Sequence, residues 1–87
     1  MTETHEHRIK RLAMRSMRRG TKEMDILLMR FADAHLSQMT ADELDLYDAL
    51  LGENDQDLYL WISGQAMGPD VYAQLIKSIA ETPAPTK

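Results

Sequence analysis

An all-α fold, a small five-helix bundle with short loops, is what this chain of 87 residues predicts, and three observations predict it. Apolar residues recur at helical spacing, above all Met24, Leu27, Leu28, Phe31 and His35 at i, i+3, i+4, i+7 and i+11. Strand signals are missing: β-branched runs are few, no segment alternates for a useful length, and there is no Asn-Gly hairpin dipeptide. Helix start and stop residues fall between the periodic segments, leaving connections of only a few residues, which suits a bundle of near neighbours.

A first helix is expected over His7 to Met17, with Ile9, Leu12, Ala13 and Met17 on one side and Arg8, Arg11, Arg15 and Arg18 around the other, ended by Gly20. The second, over Thr21 to Gln38, carries the apolar stripe and is the longest, hence the expected centre of the fold. Thr40-Ala41-Asp42-Glu43 fits a capping box, in which the Thr40 hydroxyl accepts from the third backbone N–H and Glu43 reaches back to the cap. The third helix therefore begins there, buries Leu44, Tyr47 and Leu51, and stops at Gly52. Asn54 or Asp55 caps a short fourth helix containing Leu58, Trp61 and Ile62, and Gly64 and Gly68 punctuate the chain beyond it. Pro69 occupies a preferred first helical position for a fifth helix faced by Val71, Tyr72, Leu75, Ile76 and Ile79. Residues 1–87 read as one domain, with 1–5 and the Pro-rich 82–87 expected to be disordered.

Composition removes several function classes. A chain of this length with 44% hydrophobic residues buries a modest core and leaves little interior for an enclosed cofactor. Without cysteine there is no disulfide framework, thiolate nucleophile or cysteine-ligated metal. No apolar run approaches the roughly 20 residues that span a bilayer, and direct membrane insertion is not expected. The net charge of -4 conceals a polarity: residues 1–22 carry seven Lys and Arg against two Glu, and the remaining residues carry three against twelve acids. Such a chain can use its basic end to orient on an acidic protein surface. The twelve acids argue against broad contact with nucleic acid. His5-Glu6-His7 is too sparse and too terminal for a metal site, and Asp55-Gln56-Asp57 lacks the glycine of a calcium loop, so no metal is expected. His35 lies on the apolar stripe, where a core or boundary histidine outweighs a general base.

The junction Met17-Arg18-Arg19-Gly20-Thr21-Lys22-Glu23-Met24-Asp25 stands apart. A basic segment gives way across one glycine to an acid-led apolar helix. A residue that can take positive φ permits a sharp reversal and close approach of a partner, with Arg19 and Glu23 on either side. Arginine is enriched among interface anchors. No nucleophile and base, metal cluster or phosphate-cradling loop accompanies these residues, so a docking site without catalytic residues of its own is expected.

Arg19-Gly20-x-x-Glu23, continued by Met24-Asp25 and an apolar helix to Phe31, resembles the R-G-x-x-E signature of the SdhE family of flavoprotein assembly factors, a family also described in places as the CptB-type antitoxin. Leu50-Leu51 followed by Asp55-x-Asp57-Leu58-Tyr59-x-Trp61-Ile62 resembles that family's acidic, aromatic segment. Together the blocks extend the likeness over residues 8–80. The resemblance implies a chaperone-like factor that binds the flavoprotein subunit of succinate dehydrogenase, or of fumarate reductase, and promotes covalent attachment of FAD. On this reading FAD belongs to the partner, and this chain, a monomer, binds no cofactor stably. The resemblance assigns partner binding to Arg19, Gly20, Glu23 and Asp25, with Arg18 and Phe31 as further candidates. Thr21 departs from the Met that often comes after the glycine. The absence of a transit peptide suggests the bacterial branch and a cytoplasmic location. An antitoxin or regulatory module using the same face is the alternative.

Overall fold

A computed structural model describes residues 3–17 and 19–82. Five α-helices succeed one another: α1 (His5–Arg15), α2 (Lys22–His35), α3 (Ala41–Leu51), α4 (Asp55–Ile62) and α5 (Ala73–Glu81). Single turns of 3-10 helix, Leu36–Gln38 and Asp70–Tyr72, extend α2 and precede α5. No strand occurs among the described residues.

The starts obey the capping chemistry of the sequence. The hydroxyls of Thr4 and Thr21 accept from the backbone N–H groups of His7 and Met24, and Asn54 Oδ1 accepts from Gln56 N. The expected capping box at α3 is complete: Glu43 N donates to Thr40 Oγ1 at 3.2 Å and Thr40 N donates to Glu43 Oε1 at 2.8 Å.

The ends depart from expectation more often. Thr4 caps α1, so that helix begins at His5, inside the terminal segment expected to be disordered. It also stops at Arg15, with Ser16 as its C-cap, well before Gly20. The Ser16 N–H returns to Leu12 and Ala13 carbonyls, and its hydroxyl donates to Leu12 O at 2.8 Å and meets the buried Tyr47 hydroxyl at 2.6 Å. A serine that bonds the preceding turn competes with helix continuation. Met17, expected on the apolar side of α1, is consequently 41% exposed. Thr82 is buried against α5, its hydroxyl donating to Ser78 O, rather than belonging to a loose tail.

The α4–α5 connection is longer than the sequence suggested. Gly64, at φ 82°, lets the Gln65 and Ala66 N–H groups both return to Leu60 O. Gly68 sits so close to Trp61 and Ile76 that a Cβ there would meet Ile76 Cδ1 at 2.7 Å. Val71, assigned to the apolar face of the fifth helix, lies in the 3-10 turn and is 63% exposed, whereas Tyr72, Leu75 and Ile79 are buried as expected.

The core gathers Met24, Leu28, Phe31 and Ala32 of α2 with Leu44, Tyr47, Leu50 and Leu51 of α3, Leu58 and Ile62 of α4, and Leu12, Leu36, Tyr72, Leu75 and Ile79. Contacts link α2 to α1, α4 and α5, and α1 to α3, so the longest helix is the hub. Fully burying one such leucine contributes about 1.5–3 kcal/mol. That packing sets the first turns of α2 and α4 beside each other and fixes the geometry of the junction.

A braced junction between the first and second helices

The junction residues are held from two directions. Arg19 donates from Nε to Asp55 Oδ1 at 2.8 Å, while its Nη2 lies 2.7 Å from the same oxygen. Its remaining donors reach the carbonyls of Arg15 and Glu53 at 3.3 and 3.4 Å. The Gly20 N–H donates to Asp55 Oδ2 at 2.6 Å, and the Arg19 N–H donates to Asp25 Oδ1. One carboxylate from the first turn of α4 therefore engages both the arginine side chain and the next backbone amide. Charge-assisted bonds of this kind are short and strong, and here they cross thirty-odd residues of sequence.

The geometry revises the role of Gly20. Gly64 is the positive-φ glycine of the described chain; Gly20 makes no left-handed reversal. What Gly20 supplies is room, because a Cβ at that position would stand 3.0 Å from Asp55 Oδ2 and crowd the brace. Its own surface is open to solvent.

The other expected site residues separate into distinct settings. Glu23, in the first turn of α2, is exposed and lines an open cleft of about 500 Å³ with Thr21, Asp55, Gln56, Tyr59 and Leu60. The Arg19 side chain is only 13% exposed and is engaged by three acceptors of its own chain, Asp55 Oδ1 and the carbonyls of Arg15 and Glu53. Asp25 is half-buried and faces inward to the Arg19 amide. Phe31 is 2% exposed, with ring centroids 4.8 Å from His35 and 5.2 Å from Tyr47, so its apolar ring belongs to the core stripe and presents no surface to a partner. Arg18 lies outside the described residues. His35 occupies the boundary, its ring against Phe31.

The basic face of α1 is largely spoken for. Arg8 pairs with Asp45, Arg11 with Glu3 and Asp48, and Arg15 with Asp48. Hydrogen bonding from Arg11 holds the Asp48 carboxyl below the usual carboxylate range, reinforced by the charges of Arg11 and Arg15. The same arginine lowers Glu3. Beneath the junction, burial pushes the Tyr47 phenol up to about 12, against the opposing influences of the Ser16 hydrogen bond and the nearby Arg19 and Arg15 charges. The charge polarity of the sequence is thus folded back on itself, the acids of α3 meeting the bases of α1, instead of leaving a free basic helix for an acidic partner.

Asp55 is the site residue that residue-by-residue reading missed. The sequence treats it as a cap, but Asn54 takes that duty and leaves the Asp55 carboxylate free to reach across. The available signal was its place in the second motif block, which no local rule connects to the first. Among the described residues no group of three or more His, Cys, Asp or Glu is placed to hold a metal ion, and no helix is long and apolar enough to cross a membrane.

Comparison with known proteins supplies what the geometry alone does not. Residues 10–83 match the family model described as flavinator of succinate dehydrogenase. Among similar proteins is the mitochondrial succinate dehydrogenase assembly factor 2 of Lodderomyces elongisporus, 51% identical over 59 residues that make up 68% of this chain and 36% of that protein. The protein of the same name from Candida glabrata is 53% identical over 53 residues, 61% of this chain and 35% of the relative. The one from Meyerozyma guilliermondii is 48% identical over 59 residues, 68% and 44% respectively. The chain thus spans less than half the length of these relatives. All three bear mitochondrial names in fungi, which overturns the expectation of a bacterial branch and a bacterial cytoplasmic location and points to mitochondria instead. With the match covering most of the described helices, including both halves of the Arg19–Asp55 brace, this chain belongs to the family of flavinators of succinate dehydrogenase.

Proposed function

We propose that this chain binds the flavoprotein subunit of succinate dehydrogenase and promotes covalent attachment of FAD, as an assembly factor with no catalytic residues of its own. The observation that carries the reading is the family match over residues 10–83, which takes in the whole junction and the helix that braces it. The exposed edge formed by Gly20, Thr21 and Glu23 supports it, since that edge stands on a rigid base and opens onto a cleft with apolar walls from Tyr59 and Leu60.

The chemistry belongs to the flavin, whose ring can react with an acceptor side chain once the two are aligned. A helper needs only to favour the flavoprotein conformation that aligns them. A preference of about 1.4 kcal/mol for that conformation shifts the population ratio roughly tenfold. In this mechanism Gly20 lets the partner backbone approach, Glu23 offers an exposed carboxylate to a donor of the flavoprotein, and Arg19 and Asp25 keep the edge in shape. FAD stays with the partner, and this chain acts as a monomer. Fumarate reductase, whose flavoprotein presents the same task, is a second client.

Glu23→Ala tests the reading. In cells lacking their native factor, covalent flavin on the flavoprotein, seen as fluorescence that survives denaturing electrophoresis, should fall several-fold relative to the wild-type chain. Undiminished fluorescence removes Glu23 from the contact, and no covalent flavin even with the wild-type chain refutes the function.

A further inference from the structure

The family motif at Arg19 to Glu23 and the acidic segment at Asp55 lie far apart in sequence, and Asp55 joins them physically. Its two carboxylate oxygens divide between two targets: Oδ1 takes the Arg19 guanidinium at 2.7–2.8 Å, and Oδ2 takes the Gly20 N–H at 2.6 Å. Both side chains of the pair are mostly sheltered, 13% and 20% exposed, which limits screening by solvent. The backbone they hold is non-helical, and ordering such a residue costs about 1–2 kcal/mol if a partner has to do it during association.

We propose that Asp55 is a positioning residue for flavoprotein docking: it touches no partner atom through this carboxylate but presets the Arg19–Gly20 segment in its docking shape before the encounter. The inference rests on the function proposed above. It also gives Gly20 a role without positive φ, since a Cβ there would stand 3.0 Å from Asp55 Oδ2, in tight contact with the carboxylate that forms the brace.

The test compares the full chain with Asp55→Ala, which removes both bonds, and Asp55→Asn, which retains an acceptor for Gly20 N but loses the charge facing Arg19. Three measurements are made: thermal melting by circular dichroism, amide hydrogen exchange at Gly20 by NMR, and affinity for the purified flavoprotein subunit. Asp55→Ala should speed Gly20 exchange at least tenfold while leaving the Leu28 and Leu58 amides near their wild-type rates, and should weaken flavoprotein binding about tenfold, or 1.4 kcal/mol. Asp55→Asn should fall between, and it carries the test if the alanine variant does not fold. A purely structural role would lower melting and speed exchange throughout the molecule instead. Unchanged binding by a folded Asp55 variant, where the wild type binds, overturns the positioning role alone. Failure of the wild-type chain to bind the flavoprotein overturns the proposed function, and this role with it.

Discussion

Two sets of arginine–carboxylate contacts, one made by Arg8, Arg11 and Arg15 and the other by Arg19 alone, lie along the same stretch of chain, and they differ in what they hold. On the α1–α3 face, Arg8, Arg11 and Arg15 project from a regular helix toward Asp45 and Asp48, on another regular helix. At the junction, Arg19 projects from non-helical backbone into a sheltered contact with Asp55, whose second oxygen binds the backbone itself. In the first cluster the helices are already shaped by their own hydrogen bonds, so the ion pairs add modest electrostatic attraction at a partly solvated surface, where such pairs contribute about 0–1 kcal/mol each. In the second, the pair determines the shape of a segment that has no ladder to shape it. The same chemical partners thus serve as trim in one place and as framework in the other, and the distinction comes from the backbone to which each is attached.

Substitutions can break or sharpen that contrast. The largest effect is expected from Gly20→Arg, which forces a side chain against the Asp55 carboxylate: capture of the flavoprotein should be abolished while helical circular dichroism is retained and the melting temperature falls by less than about 8 °C, the scale of roughly 1 kcal/mol in a domain of this size. Loss of the fold along with binding would make the glycine structural and erase the distinction between framework and docking edge.

An intermediate effect is expected from the Asp48 pair under acid. Because Arg11 and Arg15 hold the folded-state carboxyl below its ordinary 3.8, the contribution is complete above that value and disappears as pH falls through the lower folded-state pKa. Melting measured from pH 7 down to pH 2 should therefore decline less steeply below about pH 4 in Asp48→Asn than in the wild type. Identical acid limbs would show the Asp48 ion pairs with Arg11 and Arg15 to be energetically silent. The smallest effect belongs to Arg8→Ala, which should change stability by no more than about 1 kcal/mol and leave flavoprotein binding untouched. Weakened binding on that substitution would extend the docking surface onto α1.

Much of the fold was legible in the residues alone. The apolar stripe of α2, the capping box at Thr40 and Glu43, and the burial of Leu44, Tyr47, Leu51 and Leu58 all obey rules that act within a few residues. Gly20 was legible as special, though for a reason the structure replaces: the sequence suggested a left-handed turn, and tertiary packing makes it a position where a Cβ would stand 3.0 Å from Asp55 Oδ2. Phe31 illustrates the opposite error, since a residue at the edge of a motif and on a core stripe satisfies both patterns, and only burial separates them.

Sequence by itself determined the helices, the capped starts of α2, α3 and α4 and most of the core, because helix periodicity and capping depend on groups within about one turn of each other. Tertiary structure decided which charges meet: that the bases of α1 are matched by α3, that Arg19 turns inward, and that Asp55, next to the cap residue Asn54, completes the junction. The physical reason is range. A charge has no preference written in its immediate neighbours for one opposite charge over another many residues away, and the choice is made when apolar packing brings particular helix faces together.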